Sequence, residues 1–101
     1  MFVRLLSAQG DANAGDYETM SQLISERVIP TVQREPGFRA TYFLLDREHN
    51  KLTSVTFYET EADVRAGMES IAALREQALA ALKLRPVATD AYEVIASAGS
   101  L

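Results

Sequence analysis

Cysteine is absent from the 101 residues, and its absence excludes disulfides, thiolate metal sites and a thiol nucleophile. Histidine occurs once, as His49, so a transition-metal site would have to rest mainly on carboxylates. No apolar run approaches the ~18–20 residues of a membrane span. The opening Met1-Phe-Val-Arg-Leu-Leu-Ser7 is too short in apolar residues for a signal peptide. Basic residues are few and scattered: ten Lys and Arg stand against fourteen Asp and Glu, a net charge of −4. Nucleic acid and anionic membrane surfaces are read by clustered basic faces, so neither is an expected partner. No Gly-rich phosphate loop, nucleophile elbow or Ser-His-Asp set is visible. A cytoplasmic location is the default expectation.

What is present reads as one domain over residues 1–101. Phe2 to Gln9 is a first strand, and Gly10-Asp-Ala-Asn-Ala-Gly15 has the residues of a loop. Asp16 opens a helix, with Glu18 in its positive first turn. Tyr17, Met20, Ile24, Val28 and Thr31 form its inward stripe. Pro30 removes a backbone donor and predicts a kink or division near Val28; Pro36-Gly37 stops the segment. Two strands follow, about Phe38 to Leu45 and Lys51 to Glu59, joined by a tip at Asp46-Arg-Glu-His-Asn50. Thr60-Glu-Ala-Asp63 has capping-box spacing, and a helix runs from it to about Lys83. Gly67 predicts a break between Gly67 and Ser70. Pro86 starts the last connection, Ala88 to Ala96 forms the fourth strand, and Ser97 to Leu101 is a frayed tail.

The order β-α-β-β-α-β is the α+β ferredoxin-like arrangement, a four-stranded antiparallel sheet with both helices on one face. Both alternating sets of the second strand are largely apolar. Phe38, Ala40, Tyr42 and Leu44 form one, and Arg39, Thr41, Phe43 and Leu45 the other. The last strand sets Tyr92 and Val94 against Ala91 and Ile95. Helices can cover only one side, and a bare apolar face exceeds what a monomer surface tolerates. A homodimer joined through the sheet face is therefore expected.

In this order of elements the chain resembles the small dimeric α/β-barrel proteins grouped with antibiotic-biosynthesis monooxygenases. The resemblance covers nearly the whole chain. It rests also on Pro36-Gly37-Phe38 opening the second strand, Tyr58-Glu59-Thr60 entering the second helix, and Tyr92-Glu93-Val94 in the last strand. It implies a dimeric barrel and a pocket between helices and sheet. Activities in that family include cofactor-free oxygenation of aromatic polyketides or quinols, haem degradation, and small isomerase or decarboxylase reactions. Three positions depart from the family's pattern. Tyr58 stands where Trp is usual, Gly67 where a His is common, and Leu5-Leu6-Ser7 where haem-degrading members carry an Asn. These departures argue against haem breakdown.

Three residues are candidates for ligand binding. Tyr58 matches a site aromatic of the resembled family. Arg75 falls on the apolar stripe of Val64, Met68, Ile71, Ala78 and Leu82. Its ordinary role would be to pack its stem and turn its guanidinium outward, or to pair with a carboxylate. Its functional role would be to hold an enolate, phenolate or carboxylate in the pocket. Tyr42 shares strand parity with Tyr58 and Tyr92, and with Ser54 and Thr56 such rings could line a site for a flat ligand; packing alone would also account for them. His49, between Glu48 and Asn50, reads as a solvated tip residue. With Asp46 and Glu48 it could only chelate loosely. Two functions are expected in competition. One is a cofactor-independent monooxygenase acting on a small aromatic or quinone-like compound; the other is a non-catalytic dimer that binds a small apolar metabolite or serves as a stress-responsive barrel.

Overall fold

A computed structural model describes residues 1–10 and 17–99. The expected loop beyond Gly10, the helix opening at Asp16 and the last two residues of the tail lie outside the described residues. The described elements are β1 (Phe2–Gly10), α1 (Tyr17–Leu23), α2 (Ile29–Gln33), β2 (Phe38–Asp46), β3 (Lys51–Tyr58), α3 (Glu61–Ala81) and β4 (Leu84–Glu93). All pairings are antiparallel and the sheet order is β2-β3-β1-β4. This is the ferredoxin-like α+β fold.

Pro30 has the effect its chemistry dictates. A π-helical turn, Ile24–Val28, separates α1 from α2, and the Ile29 N–H bonds the Ile24 carbonyl five residues back. Proline has no N–H to extend an α-helical ladder, and it sits in the first turn of α2, where none is needed. Thr31 Oγ1 takes up the Arg27 carbonyl at 3.0 Å. The wide turn also advances the inward stripe, so Met20, Ile24, Val28 and Val32 are buried and Thr31 is only half-buried.

The hairpin of β2 and β3 and the cap of α3 follow the sequence closely. Thr60 Oγ1 accepts a 3.1 Å hydrogen bond from the Asp63 N–H, and Glu61 and Asp63 occupy the positive first turn. Gly37 has φ of +74°, and a Cβ there would lie 2.4 Å from Asp63 Cγ. Only glycine fits that bend beneath the helix start.

Three expectations are corrected. The α3 helix is continuous through Gly67, because that glycine is buried against a polar cluster and surrounding contacts outweigh its low helix propensity. The fourth strand begins at Leu84 and ends at Glu93, so Pro86 lies within it. Proline is accepted there because β4 is an edge strand and its register with β1 shifts between Ser7 and Ala8. A second register shift, between Phe38 and Ala40, moves Phe38 onto the helix side, where it packs with Val28, Val32 and Ile71.

The core lies between sheet and helices. Ala8, Met20, Ile24, Leu82 and Leu84 form one cluster with Phe43 and Leu45 against it, and Val28, Val32 and Ile71 form the second. On the opposite face β1, β2, β3 and β4 present Leu5, Leu44, Val55 and Tyr92, with no helix among the described residues over them. Leu44 is 52% exposed and Tyr92 55%. No helix among the described residues is long and apolar enough to cross a membrane.

Candidate functional site

Alternation along the central strands sends Arg4 and Ala8 of β1, and Ser54, Thr56 and Tyr58 of β3, towards the helices; all five are buried. Cross-strand pairing sets Arg4 opposite Thr56 and Leu6 opposite Ser54. Between this layer and the helices lies a cavity of about 80 Å³. Its walls are mostly aliphatic and aromatic, from Ile24, Val28, Phe43, Leu52 and Ile71 among others, and Arg4, Arg75 and Ser54 also line it.

Arg4 is 1% exposed, and its Nε and Nη1 have no hydrogen-bond partner among the described residues. Its guanidinium carbon lies 5.4 Å from the centroid of the Tyr58 ring, a cation–π contact that offsets only part of the cost of desolvating a charge. Arg75, on α3, also has a buried Nε without a partner. The snorkelling or ion-paired arrangement weighed from sequence therefore leaves at least this nitrogen unmet.

Tyr58 is fully buried, and its hydroxyl donates a 2.7 Å hydrogen bond to Glu35 Oε1. Ser70 Oγ donates to Glu35 Oε2 at 2.8 Å. Burial, and then donation to Glu35, push the Tyr58 phenol well above its ordinary pKa of 10.0, while nearby Arg4 pulls the other way. Tyr58 is thus a neutral donor at any working pH. Gly67 makes the cluster possible: a Cβ there would stand 2.7 Å from both the Tyr58 hydroxyl and Glu35 Oε2.

The three sequence candidates are not all brought together. Arg75 lines the cavity. Tyr58 sits behind Arg4 and does not itself border it. Tyr42 lies on the helix-free face, edge-on to Phe57 with ring centroids 6.5 Å apart. Strand parity alone could not order these faces. Sequence reading passed over Arg4 and Glu35. A signal for Arg4 existed, since it interrupts the apolar run of β1; Glu35 stands beside Pro36-Gly37 and reads as a helix-stop residue.

His49 remains at the hairpin tip, with Nδ1 2.8 Å from Asp46 Oδ2. That hydrogen bond holds the Asp46 carboxyl below its usual range. Among the described residues no group of three His, Cys, Asp or Glu side chains could hold a metal ion.

No protein-family model and no curated protein sequence matches the chain. Solved structures do match. HapK from Hahella chejuensis is 15% identical, covering 100% of this chain and 99% of its own, with a TM-score of 0.76. SnoaB, a cofactor-independent oxygenase from Streptomyces nogalater, is 14% identical, with 95% and 94% covered and a TM-score of 0.69. A monooxygenase from the ActVA-Orf6 gene of Streptomyces coelicolor, solved with nanaomycin D, is 18% identical, with 99% and 90% covered and a TM-score of 0.64. The chain shares its fold with these solved structures.

Proposed function

We propose that this protein is a cofactor-independent monooxygenase that acts on a small aromatic or quinone-like compound. The observation that carries the reading is a cavity with mainly apolar walls and a cationic residue, Arg75, between helices and sheet. The fold shared with SnoaB and the ActVA-Orf6 monooxygenase supports the class of chemistry. The reaction needs no added reductant. A phenol with a free ring position reacts with one O2 to give a quinone and one water. One oxygen atom enters the ring; the other leaves as water with the ring hydrogen and the hydroxyl proton. Apolar walls keep bulk water from the reactive anion, and a preorganised guanidinium stabilises it as charge develops. Tyr58 acts at one remove, by its ring holding the Arg4 guanidinium.

Oxygen uptake by purified protein with a panel of phenols and hydroquinones tests this directly. Turnover is expected, falling by about 10²-fold or more in Arg75→Ala and little in Tyr58→Phe, which keeps the ring against Arg4. A second reading, a metabolite-binding module without catalysis, is favoured by one feature: among the described residues no carboxylate or histidine lines the cavity. Tight binding of the same compounds with no oxygen consumed would decide for it.

We also infer that the protein works as a homodimer through the helix-free face. The partner is a second copy, because that face offers apolar residues from all four strands where no helix covers them. A cytoplasmic location and a single-domain organisation over residues 1–101 complete the reading.

A further inference from the structure

Among the described residues two arginines, Arg4 and Arg75, and no carboxylate line the cavity of a protein whose net charge is −4. Arg4 is almost wholly removed from water, and two of its nitrogens are unmet; Arg75 adds a third unmet nitrogen from the facing helix. Leaving a buried cation without a counter-charge costs several kcal/mol, and arginine's planar fork suits an oxyanion with two acceptor sites. Glu35, a buried acid of this polar layer, is already engaged by Tyr58 and Ser70. An oxyanion bound in the cavity supplies the counter-charge that these nitrogens lack among the described residues. We propose that Arg4 and Arg75 form a clamp for an oxyanion, so that the ligand of this cavity is a small aromatic acid bound as its anion. The ring of the ligand lies against Ile24, Phe43, Leu52 and Ala78, and its charged oxygen points to the guanidinium groups.

This deepens the oxygenase reading by naming the ionisation state of the substrate, and it rests on the same cavity. Its own chemistry is binding, so it can be tested without turnover. A carboxylate and a phenolate share the required oxyanion, and two probes separate them.

The first probe is benzoate against its neutral counterpart benzamide, followed by calorimetry on the intact protein at neutral pH. Benzoate is expected to bind at least about tenfold more tightly, the size of a charge-assisted hydrogen bond. The second is 4-nitrophenol, whose yellow phenolate reports its own ionisation. On the protein it is expected to ionise at a pH at least about one unit below that of the free dye. Both preferences should vanish in Arg75→Met. Arg4→Met should abolish them too and, without ligand, should raise the unfolding temperature, because an unpaired buried charge is replaced by an apolar side chain.

Benzoate preference alone supports a carboxylate ligand, and a shifted dye alone supports a phenolate. Equal binding of benzoate and benzamide together with unshifted dye overturns the clamp. So does an anion preference that survives in Arg75→Met. If Arg4→Met fails to fold, the Arg75→Met comparison still decides. Anion binding without oxygen uptake would sink the oxygenase reading and leave the clamp standing. Oxygen uptake with no anion preference would do the reverse.

Discussion

The Tyr58 hydroxyl and the Glu35 carboxylate meet at 2.7 Å inside the protein, joining the end of β3 to the turn that precedes β2. Ser70 of α3 closes the other side of the carboxylate. Three chain segments are thus tied at one buried point behind the cavity.

Glu35→Ala should leave the Tyr58 hydroxyl buried without an acceptor. A loss of about 1–3 kcal/mol in unfolding free energy is expected. Glu35→Gln keeps one acceptor for Tyr58, and Ser70 can turn to accept from the new amide, so its cost should stay below about 1 kcal/mol. Urea unfolding of the two variants side by side checks this; equal losses would show that the carboxylate's bonds are not what matters.

Gly67→Ala gives an opposite answer to helix propensity. In an exposed helix the change would stabilise by up to about 1 kcal/mol. Here the added methyl enters the Tyr58–Glu35 contact, and a net loss of about 1–3 kcal/mol is expected by thermal or denaturant unfolding.

Alkaline pH should weaken the fold through Tyr58. Its folded pKa is raised, chiefly by burial and then by its bond to Glu35, above the ordinary 10.0. Unfolded chains therefore lose this proton before folded ones do. The contribution is whole below about pH 10 and declines as the pH climbs from there towards the folded value. Denaturant midpoints followed from about pH 8 to pH 11 should fall more gently in Tyr58→Phe than in the parent chain.

Leu44→Lys tests the homodimer. Leu44 is half-exposed on the helix-free face, so the lysine costs the subunit little while charging the proposed contact. Light scattering at micromolar concentration should give about twice 11.1 kDa for the parent chain and about half that for the variant. A parent chain that scatters as a monomer would refute the pairing.

The order of elements, the hairpin, the α3 cap and the interruption at Pro30 were all legible in the sequence, because each rests on local chemistry: turn residues, capping spacing, a missing N–H. Arg75 was legible too, since a charge on an apolar helix stripe stands out by period alone. The faces of the strands were not. Tyr42 and Tyr58 look equivalent by parity, and only the register of β2 against β3, which sets Tyr42 opposite Val55, puts them on different faces. The shift at Phe38 and Ala40 depends on how β2 meets its neighbour, which no short window records. Gly67 was misread and Glu35 passed over for a related reason: each has a plain local meaning, and a tertiary contact gives it another.

The π turn at Ile24–Val28 has a bearing on how this scaffold could change. Such a turn holds one residue more than the α turn it replaces, and both Ile24 and Val28 face the cavity. Loss of a single codon within the stretch would shorten the segment by one residue and rotate the side chains that follow, while Pro30 still interrupts the ladder. Relatives differing by one deletion there would present a reshaped chamber over an unaltered sheet, so ligand choice could drift without disturbing the rest of the architecture.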